Sequence, residues 1–248
     1  MSSKIGINLK RLYSNNFDAT KRSKNLIKFI IIHYTGMKNQ SNAISRLCDS
    51  ESKVSSHYFI KNNGEILNLV PDLYRSWHAG KSKWKNFKSL NKYSIGIELN
   101  NPGHDHGYKK FTSSQVFSLI KLLNFLIKKY KIKKQNILGH SDISPNRKKD
   151  PGEKFPWKYL AQKKVSFWHN FNEKNIRKFR NLKLELSEEK KFIKNLYKLG
   201  YPKQQPVKIK YIVNLVKSFQ RRFRQELING RIDKECLMIT QNLIKLSK

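Results

Sequence analysis

Short, strongly apolar runs that end in turn signals are the feature that most constrains how this chain can fold. Residues 29–34 read Phe-Ile-Ile-Ile-His-Tyr, and residues 94–99 read Ser-Ile-Gly-Ile-Glu-Leu. Runs of this length and composition are typical of strands buried on both faces. A third run, Ile137-Leu138, leads into Gly139 and His140. The sequence therefore predicts three buried strands, two of which end beside a histidine.

The segments between these runs predict a hairpin and a long helix. Residues 56–60 and 65–70 have strand composition, and the Asn63-Gly64 pair between them favours a tight turn. Residues 112–115 fit a capping box, and apolar residues then recur at helical spacing. We predict that this helix ends near Tyr130.

The pattern changes after about residue 160, and the last part of the chain predicts three short helices. Their apolar residues are spaced by three or four positions, and Gly200 and Asn229-Gly230 mark the turns between them. Three short helices in about 60 residues make a minimal bundle. We therefore predict two domains, residues 1–165 and residues 187–248, joined by a linker over residues 166–186.

The formal charge of +35 across 248 residues makes nucleic acid, anionic membranes and anionic wall polymers candidate partners. The lysines are spread over every segment, however, so compositional drift also explains the charge. No aromatic RNA-binding signature or zinc-finger spacing accompanies it. We therefore expect no specific nucleic-acid partner, and a duplex-binding assay with a salt titration tests that expectation.

Cysteine usage and hydropathy predict neither a disulfide framework nor a transmembrane segment. Cys48 and Cys236 form no paired-cysteine motif, so we predict two free thiols. The longest apolar run, residues 29–32, is far too short to span a bilayer. Residues 1–6 contain no apolar core typical of a signal peptide. We expect a cytoplasmic location, with a periplasmic or envelope-associated one as the alternative.

Two histidines at predicted strand ends are candidate metal ligands, because strand ends are rigid places to mount a site. His33 and His140 each follow an apolar run, and Asp150 comes ten residues after His140. Two histidines and one carboxylate give zinc three protein ligands and leave a fourth position open for water. Simpler explanations remain open: a buried histidine is more often a hydrogen-bonded core residue, and Asp150 could merely open a turn.

Glu98 and Lys148 are candidates for catalysis. Glu98 lies in a predicted buried strand, where a lone carboxylate is costly unless it has a partner or a task. Next to a metal site it could act as a general base and then protonate a leaving amine. The Lys148 ammonium could stabilise the oxyanion that forms when an amide carbon is attacked. Alternatively, Glu98 pairs with one of the many lysines, and Lys148 is only solvated.

Six sequence blocks occur in a characteristic order between about residues 16 and 161. They are Asn16-Phe17-Asp18, Ile31-Ile32-His33-Tyr34-Thr35-Gly36-Met37, Val54-Ser55-Ser56-His57-Tyr58, Arg75-Ser76-Trp77-His78-Ala79-Gly80, Ile95-Gly96-Ile97-Glu98-Leu99 and Gly139-His140-Ser141-Asp142-Ile143-Ser144-Pro145. The last block continues through Arg147-Lys148 and Asp150-Pro151-Gly152 to Phe155-Pro156-Trp157. Together the blocks resemble the amidase-2 family of N-acetylmuramoyl-L-alanine amidases, in particular the anhydro-muropeptide amidases.

This resemblance implies roles for the candidate residues. His33, His140 and Asp150 match the zinc ligands of the family. Glu98 and Lys148 match its catalytic carboxylate and its oxyanion-stabilising lysine. The resemblance therefore implies a zinc cofactor held by three side chains, with two catalytic side chains beside it.

A further set of residues matches the substrate groove of the family. Trp77, His78 and Ala79 lie in the matching segment, where an aromatic face and small residues suit a sugar and a stem peptide. We include His57 as a fourth predicted substrate-binding residue, although packing beside the site or bonding a strand also suits it. Some members carry a tyrosine directly before that histidine. Ser56 stands here instead, so the carboxylate is expected to be the second catalytic group.

The implied fold is α/β, with a mixed central β-sheet flanked by helices on both faces and a small C-terminal three-helix domain. That C-terminal part resembles a peptidoglycan-binding domain at residues 199–201, 219–223 and 229–233. The implied function is zinc-dependent hydrolysis of the amide bond between N-acetylmuramic acid, or its anhydro form, and L-alanine. Peptidoglycan and released muropeptides both stay open as substrates. The alternative is a non-catalytic muropeptide recognition protein, a type that typically lacks a zinc ligand.

Overall fold

The computed structural model describes residues 9–247, which contain ten strands. They are Leu9–Arg11 (β1), Phe17–Asp18 (β2), Phe29–Tyr34 (β3), Tyr58–Ile60 (β4), Ile66–Asn68 (β5), Arg75–Ser76 (β6), Lys83–Trp84 (β7), Phe87–Lys88 (β8), Ser94–Leu99 (β9) and Ile137–Gly139 (β10). Six of them form one sheet in the order β1-β5-β4-β9-β3-β10. In this sheet β4 and β5 pair antiparallel, and every other neighbouring pair is parallel.

The described residues also contain eight α-helices. They are Gln40–Cys48 (α1), Ser113–Tyr130 (α2), His140–Ile143 (α3), Trp157–Gln162 (α4), Glu173–Arg177 (α5), Leu186–Leu199 (α6), Ile209–Phe223 (α7) and Lys234–Leu246 (α8). The predicted capping box is present, because the Thr112 side chain accepts from the backbone of Gln115 and Gln115 bonds back to Thr112. The predicted mixed sheet, hairpin, long helix and three C-terminal helices are confirmed.

Strand β3 is buried on both faces, and its alternating side chains enter two different cores. Ile30 and Ile32 pack with the apolar face of α2. Phe29 and Ile31 face the opposite side, where they pack with side chains of α6, α7 and α8. Because the three isoleucines of β3 are fully buried, each stabilises the fold by roughly 1.5–3 kcal/mol.

The second face of the sheet is covered in two parts. Helix α1 packs over β4 and β5 through Ala43 and Leu47, which contact Phe59 and Leu67. The C-terminal helices pack over β3 and β10 through the cluster that contains Phe29, Ile31 and Leu138. The cavity described below is lined by α1 and by the loop after α3. The candidate site therefore lies between these two covered parts, over the adjoining strands β9 and β3.

The segment before the C-terminal helices contains α5, whose Ile176 is buried in the same core as those helices. The domain boundaries at residues 165 and 187 stay a prediction. In the described part of the chain, no helix is long and apolar enough to cross a membrane. Residues 1–6, from which the absence of a signal peptide was predicted, lie outside the described residues.

Candidate metal and catalytic site

Three predicted ligands meet at the end of the sheet. His33 is the penultimate residue of β3, and His140 is the first residue of α3, directly after the neighbouring strand β10. His33 Nδ1 and His140 Nδ1 are 2.9 Å apart, and Asp150 Oδ2 lies 3.0 and 3.1 Å from them. All three side chains are buried. The backbone amide of Ser141 donates to the Asp150 carbonyl at 2.9 Å, which ties the loop of Asp150 to α3.

The hydrogen bonds behind His140 determine which nitrogen carries its proton. Its Nε2 lies 3.0 Å from the carbonyl oxygen of Ala79. A carbonyl oxygen can only accept, so Nε2 is the donor. A neutral imidazole that donates from Nε2 has a lone pair on Nδ1. In its neutral form, which metal binding requires, His140 therefore directs a lone pair at Asp150 and His33.

The tautomer of His33 can be assigned in the same way, from the bonds that link it through His78 to Ser94. Ser94 Oγ donates its single proton to the Leu90 carbonyl at 2.6 Å, so His78 Nε2 is the donor in its 3.1 Å bond to Ser94 Oγ. His78 Nδ1 then accepts from His33 Nε2 at 3.0 Å. Burial lowers the pKa of His33 to about 4 and that of His78 well below its usual value, so both rings are neutral. His33 Nδ1 therefore also carries a lone pair.

Metal binding requires neutral imidazoles and an ionised carboxylate, and in that state all three inner atoms present lone pairs to one point. Burial on its own would raise the pKa of Asp150, but His140 and His33 outweigh burial and hold it well below its usual range. An ionised carboxylate oxygen and two imidazole lone pairs repel at this spacing unless a cation lies between them. Tetrahedral bonds of about 2.0–2.1 Å separate two ligand atoms by about 3.3 Å, close to the observed spacing. The donor set therefore fits a divalent metal ion.

Glu98 occupies the position on β9 that is paired with His33 on β3. Its Oε2 is screened from solvent and has no hydrogen-bond partner among residues 9–247. The pKa of Glu98 is raised to about 8, because burial and the charge of Asp150 raise it more than the charge of Lys148 lowers it. A carboxyl group that exchanges its proton near neutral pH is suited to general acid–base chemistry.

Lys148 and Glu98 line one cavity together with the three ligands. The cavity has a volume of about 450 Å³, and α1 contributes Arg46 to its wall. Lys148 is half-buried, and its charge also lowers the pKa of His33. The five residues predicted to bind metal or catalyse are thus in one place, and the structure gives each an environment compatible with that prediction.

The predicted substrate-binding residues are divided between the cavity and the layer behind it. Trp77 is half-buried and lines the cavity, and its Nε1 donates to Asp18 Oδ1 at 2.7 Å. His78 also borders the cavity, but its ring lies against Gly96, where an added Cβ would be 2.5 Å from His78 Cγ. Both nitrogens of His78 bond protein groups. This placement supports a role in holding His33 more than one in contacting substrate.

His57 and Ala79 lie outside the described lining of the cavity, and both are fully buried. His57 Nδ1 accepts from the backbone amide of Gly96 at 2.9 Å, and its Nε2 contacts Arg22 and the Tyr74 carbonyl. Ala79 contributes its carbonyl oxygen to His140, as described above. The polar groups of these two residues are therefore occupied by the protein itself, and their contact with substrate stays a prediction.

Sequence reasoning missed several residues that line the cavity. Tyr34 directly follows His33 at the strand end, so the argument that selected His33 could have found it. Arg46 and Arg147 also line the cavity. In a chain with 52 lysines and arginines, nothing in the sequence distinguishes these two arginines from the others.

The fold and the site together define an α/β protein with a buried His-His-Asp set that suits a metal ion and an adjacent carboxyl group, the features of a metal-dependent hydrolase. A family model described as N-acetylmuramoyl-L-alanine amidase matches residues 22–153. The chain belongs to this family of N-acetylmuramoyl-L-alanine amidases. The predicted family and enzyme class are therefore confirmed.

Individual relatives agree with this assignment. The chain is 33% identical over 231 residues to the N-acetylmuramoyl-L-alanine amidase AmiD of Escherichia coli, covering 88% of this chain and 83% of AmiD. It is 43% identical over 116 residues to the 1,6-anhydro-N-acetylmuramyl-L-alanine amidase AmpD of Haemophilus influenzae, covering 46% of this chain and 61% of AmpD.

Solved structures show that the similarity extends over most of the chain. The complex of Escherichia coli AmiD with anhydro-N-acetylmuramic acid-L-Ala-D-gamma-Glu-L-Lys matches at a TM-score of 0.79 and 30% identity, covering 92% of each chain. AmpDh3 from Pseudomonas aeruginosa matches at a TM-score of 0.79 and 28% identity, covering 94% of this chain and 96% of that chain. The matched region therefore includes the C-terminal helices as well as the sheet.

Proposed function

We propose that this chain is a zinc-dependent amidase that hydrolyses the bond between N-acetylmuramic acid, or its anhydro form, and L-alanine. The observation that carries the proposal is the convergence of three buried ligand atoms, on His33, His140 and Asp150, beside Glu98, whose Oε2 has no partner among residues 9–247. The identity of the bond that is cut is inferred from the names of the relatives.

Zinc is the metal that the donor set suits best. Two imidazole nitrogens and one carboxylate oxygen are a ligand set that zinc uses in catalytic sites, where a fourth position stays open. When bound, zinc lowers the pKa of a water molecule to about 7 and polarises a carbonyl group. The Ala79 carbonyl and the His78 ring hold the two imidazoles in the orientation and tautomer that binding requires.

Glu98 and Lys148 carry the proton and charge movements of the reaction. Glu98 takes a proton from the attacking water as a bond forms between the water oxygen and the lactyl carbonyl carbon. Lys148 places its ammonium beside the oxyanion that develops on the former carbonyl oxygen. Glu98 then gives its proton to the L-alanine nitrogen as the carbon–nitrogen bond breaks. The products are a lactyl carboxylate on the sugar and a stem peptide with a free amine.

We further propose that anhydro-muropeptides are substrates and that the C-terminal helices are a peptidoglycan-binding-like unit. The first proposal is supported by the similarity to AmpD and to the AmiD complex. The second is supported by the extension of the AmiD similarity over 92% of this chain. Cleavage of fragments alone would favour a cytoplasmic role, and cleavage of isolated sacculi would favour a role in the envelope.

The test uses purified full-length protein, an anhydro-muropeptide and sacculi, with mass spectrometry to identify the products. We expect a free stem peptide when zinc is present and none after treatment with a chelator. Binding of the fragment without cleavage at any metal loading would contradict the proposal and indicate a recognition protein. The Glu98→Gln variant is the matched control, because it keeps the metal ligands and removes the proton acceptor.

A further inference from the structure

A buried carboxylate next to the metal ligands is held by the C-terminal part of the chain. Asp142 is the third residue of α3, two residues after His140, and it is fully buried. Its Oδ2 accepts from the backbone amide of Gly139 at 2.8 Å and from Arg222 Nη1 at 2.6 Å. Its Oδ1 accepts from the Tyr201 hydroxyl at 2.9 Å. Asp142 thus bonds both the turn that carries His140 and two side chains from much later in the sequence.

Helix α7 makes two further bonds to the same turn. Arg222 Nη2 donates to the carbonyl of Ile137 at 2.8 Å, at the start of β10. Ser218 Oγ donates to the carbonyl of Ser141 at 2.7 Å, directly after His140. The backbone is therefore bonded by α7 on both sides of a metal ligand. Since the amide of Ser141 also bonds the Asp150 carbonyl, the same turn supports a second ligand.

The turn has little freedom to adopt another conformation. An added Cβ on Gly139 would lie 2.7 Å from Pro151 Cδ, so the backbone before His140 is packed closely against the residue after Asp150. The guanidinium of Arg222 lies 4.6 Å from the centre of the Trp157 ring, and it is 3% exposed. A planar group held by a ring on one side and by fixed acceptors at its edge has one favourable orientation.

On this basis we propose that Arg222 and Tyr201 are positioning residues of the metal site, acting through Asp142 on the turn that carries His140. The inference rests on the proposed function and deepens it, because it makes the C-terminal helices part of the catalytic apparatus. Metal ligands must be held within about 0.5 Å of productive geometry to function. The sheet fixes His33 through β3, whereas His140 lies outside the strand and needs its own support.

A stability role alone does not explain the arrangement. The cost of removing an arginine and a carboxylate from water offsets much of their attraction, so apolar side chains of similar size would stabilise a core as well. A hydrogen-bonded charge pair instead fixes the orientation of its groups, because each carboxylate oxygen of Asp142 has defined partners. Every one of these bonds converges on the segment between Ile137 and Asp142, which contains His140.

Two conservative variants test the inference. Tyr201→Phe removes one hydroxyl and keeps the aromatic packing, and Arg222→Lys keeps the charge but loses the forked geometry. We expect either variant to bind zinc about tenfold more weakly in a chelator competition assay. We also expect an altered visible spectrum of the cobalt-substituted protein, which reports the ligand geometry. On a soluble anhydro-muropeptide, kcat should fall while KM changes little.

Tyr211→Phe is the matched control, because the Tyr211 hydroxyl bonds the Pro202 carbonyl in the same helical part of the chain and does not touch the turn. This variant should keep the metal affinity and the cobalt spectrum of the unaltered protein. Circular dichroism and thermal unfolding check that each variant is folded. If Arg222→Lys does not fold, the Tyr201→Phe variant alone tests the inference.

The outcomes separate this inference from the proposed function. Unaltered protein that binds metal but releases no stem peptide would overturn the function, while the metal affinities of the variants would still decide the positioning role. Folded Tyr201→Phe protein with unchanged metal affinity and an unchanged cobalt spectrum would overturn the inference. Reduced cleavage of sacculi by such a variant would not rescue the inference, because weaker binding to the wall would explain that loss.

Discussion

His33 and Glu98 occupy paired positions on adjacent parallel strands, so the proposed metal ligand and the proposed general base project from neighbouring positions on the same face of the sheet. Adjacent strands are about 4.8 Å apart, which sets the spacing of the two side chains independently of any loop. On its other side Glu98 is paired with Phe59 of β4. The backbone positions of both groups are therefore fixed by the hydrogen-bonded centre of the sheet.

Replacing Glu98 by glutamine should abolish catalysis without removing the metal. The amide has nearly the same shape but cannot take a proton, so kcat should fall by about 10²–10⁴-fold. Zinc affinity, measured by chelator competition, should stay close to that of the unaltered protein because the three ligand atoms are intact. A Glu98→Gln variant with normal turnover of an anhydro-muropeptide would show that another group moves the proton.

The raised pKa of Glu98 predicts a pH dependence of stability in the metal-free protein. The folded pKa of about 8 exceeds the usual value of 4.5, so between these values the folded state binds more protons than the unfolded state. The contribution of Glu98 to the free energy of unfolding should therefore decrease as the pH rises from about 4.5 to 8, by at most about 1.4 kcal/mol per pH unit. Urea titrations of the metal-free unaltered protein and of Glu98→Gln should show this decrease in the difference between the two proteins, because the buried histidines titrate in both and cancel.

Replacing Lys148 by methionine should reduce the rate more than substrate affinity. The ammonium acts on a charge that develops during the reaction, so kcat should fall by about 10²–10³-fold while KM changes little. Lys110→Met is the control, because Lys110 is exposed and lies outside the described lining of the cavity. Equal effects of the two substitutions would indicate that only overall charge matters.

Adding a methyl group at Gly96 should weaken metal binding from a distance. The new Cβ would overlap the His78 ring, which holds His33 through its Nδ1. We expect Gly96→Ala to destabilise the fold by about 1–3 kcal/mol and to lower zinc affinity. Calorimetry of zinc binding measures the second effect. Full zinc affinity in a folded Gly96→Ala protein would argue against support of His33 by His78.

Metal removal should lower the stability of the protein, because a metal that binds only the folded arrangement of the three ligands stabilises that state. A ligand present at 1,000 times its dissociation constant stabilises the folded state by about 4 kcal/mol. Thermal unfolding with zinc and with chelator should therefore give clearly different midpoints for the unaltered protein. In the His140→Ala variant this difference should shrink strongly, and a persistent difference would place the metal elsewhere.

Much of the fold and the metal site could be predicted because each follows from local patterns. Buried strands are recognisable as short β-branched runs, and a polar residue at the end of such a run is conspicuous. His33, Glu98 and His140 were found in this way, before the resemblance to a family gave them roles. The strands of the hairpin are shorter than predicted, although bonds from Leu69 to His57 and from Lys61 to Glu65 continue the pairing beyond the strand ends.

The remaining features depend on contacts between distant residues. The side-chain orientations of His57 and His78 follow from packing around Gly96, which no spacing rule reveals. The bond between Asp142 and Arg222 joins residues 80 positions apart, in a chain where arginine and lysine are abundant. Neither residue carries a local signal that identifies the other. Only the folded arrangement connects them.

Alternating side chains of β3 enter two separate cores, and this limits how the enzyme can be re-engineered. Phe29 and Ile31 belong to a core that the C-terminal helices share with earlier residues such as Phe87. A chimera that joins residues 9–165 to an unrelated anchoring module would expose these rings and methyl groups to water and invite self-association. An anchoring module should therefore be joined after the C-terminal helices, which stay in place.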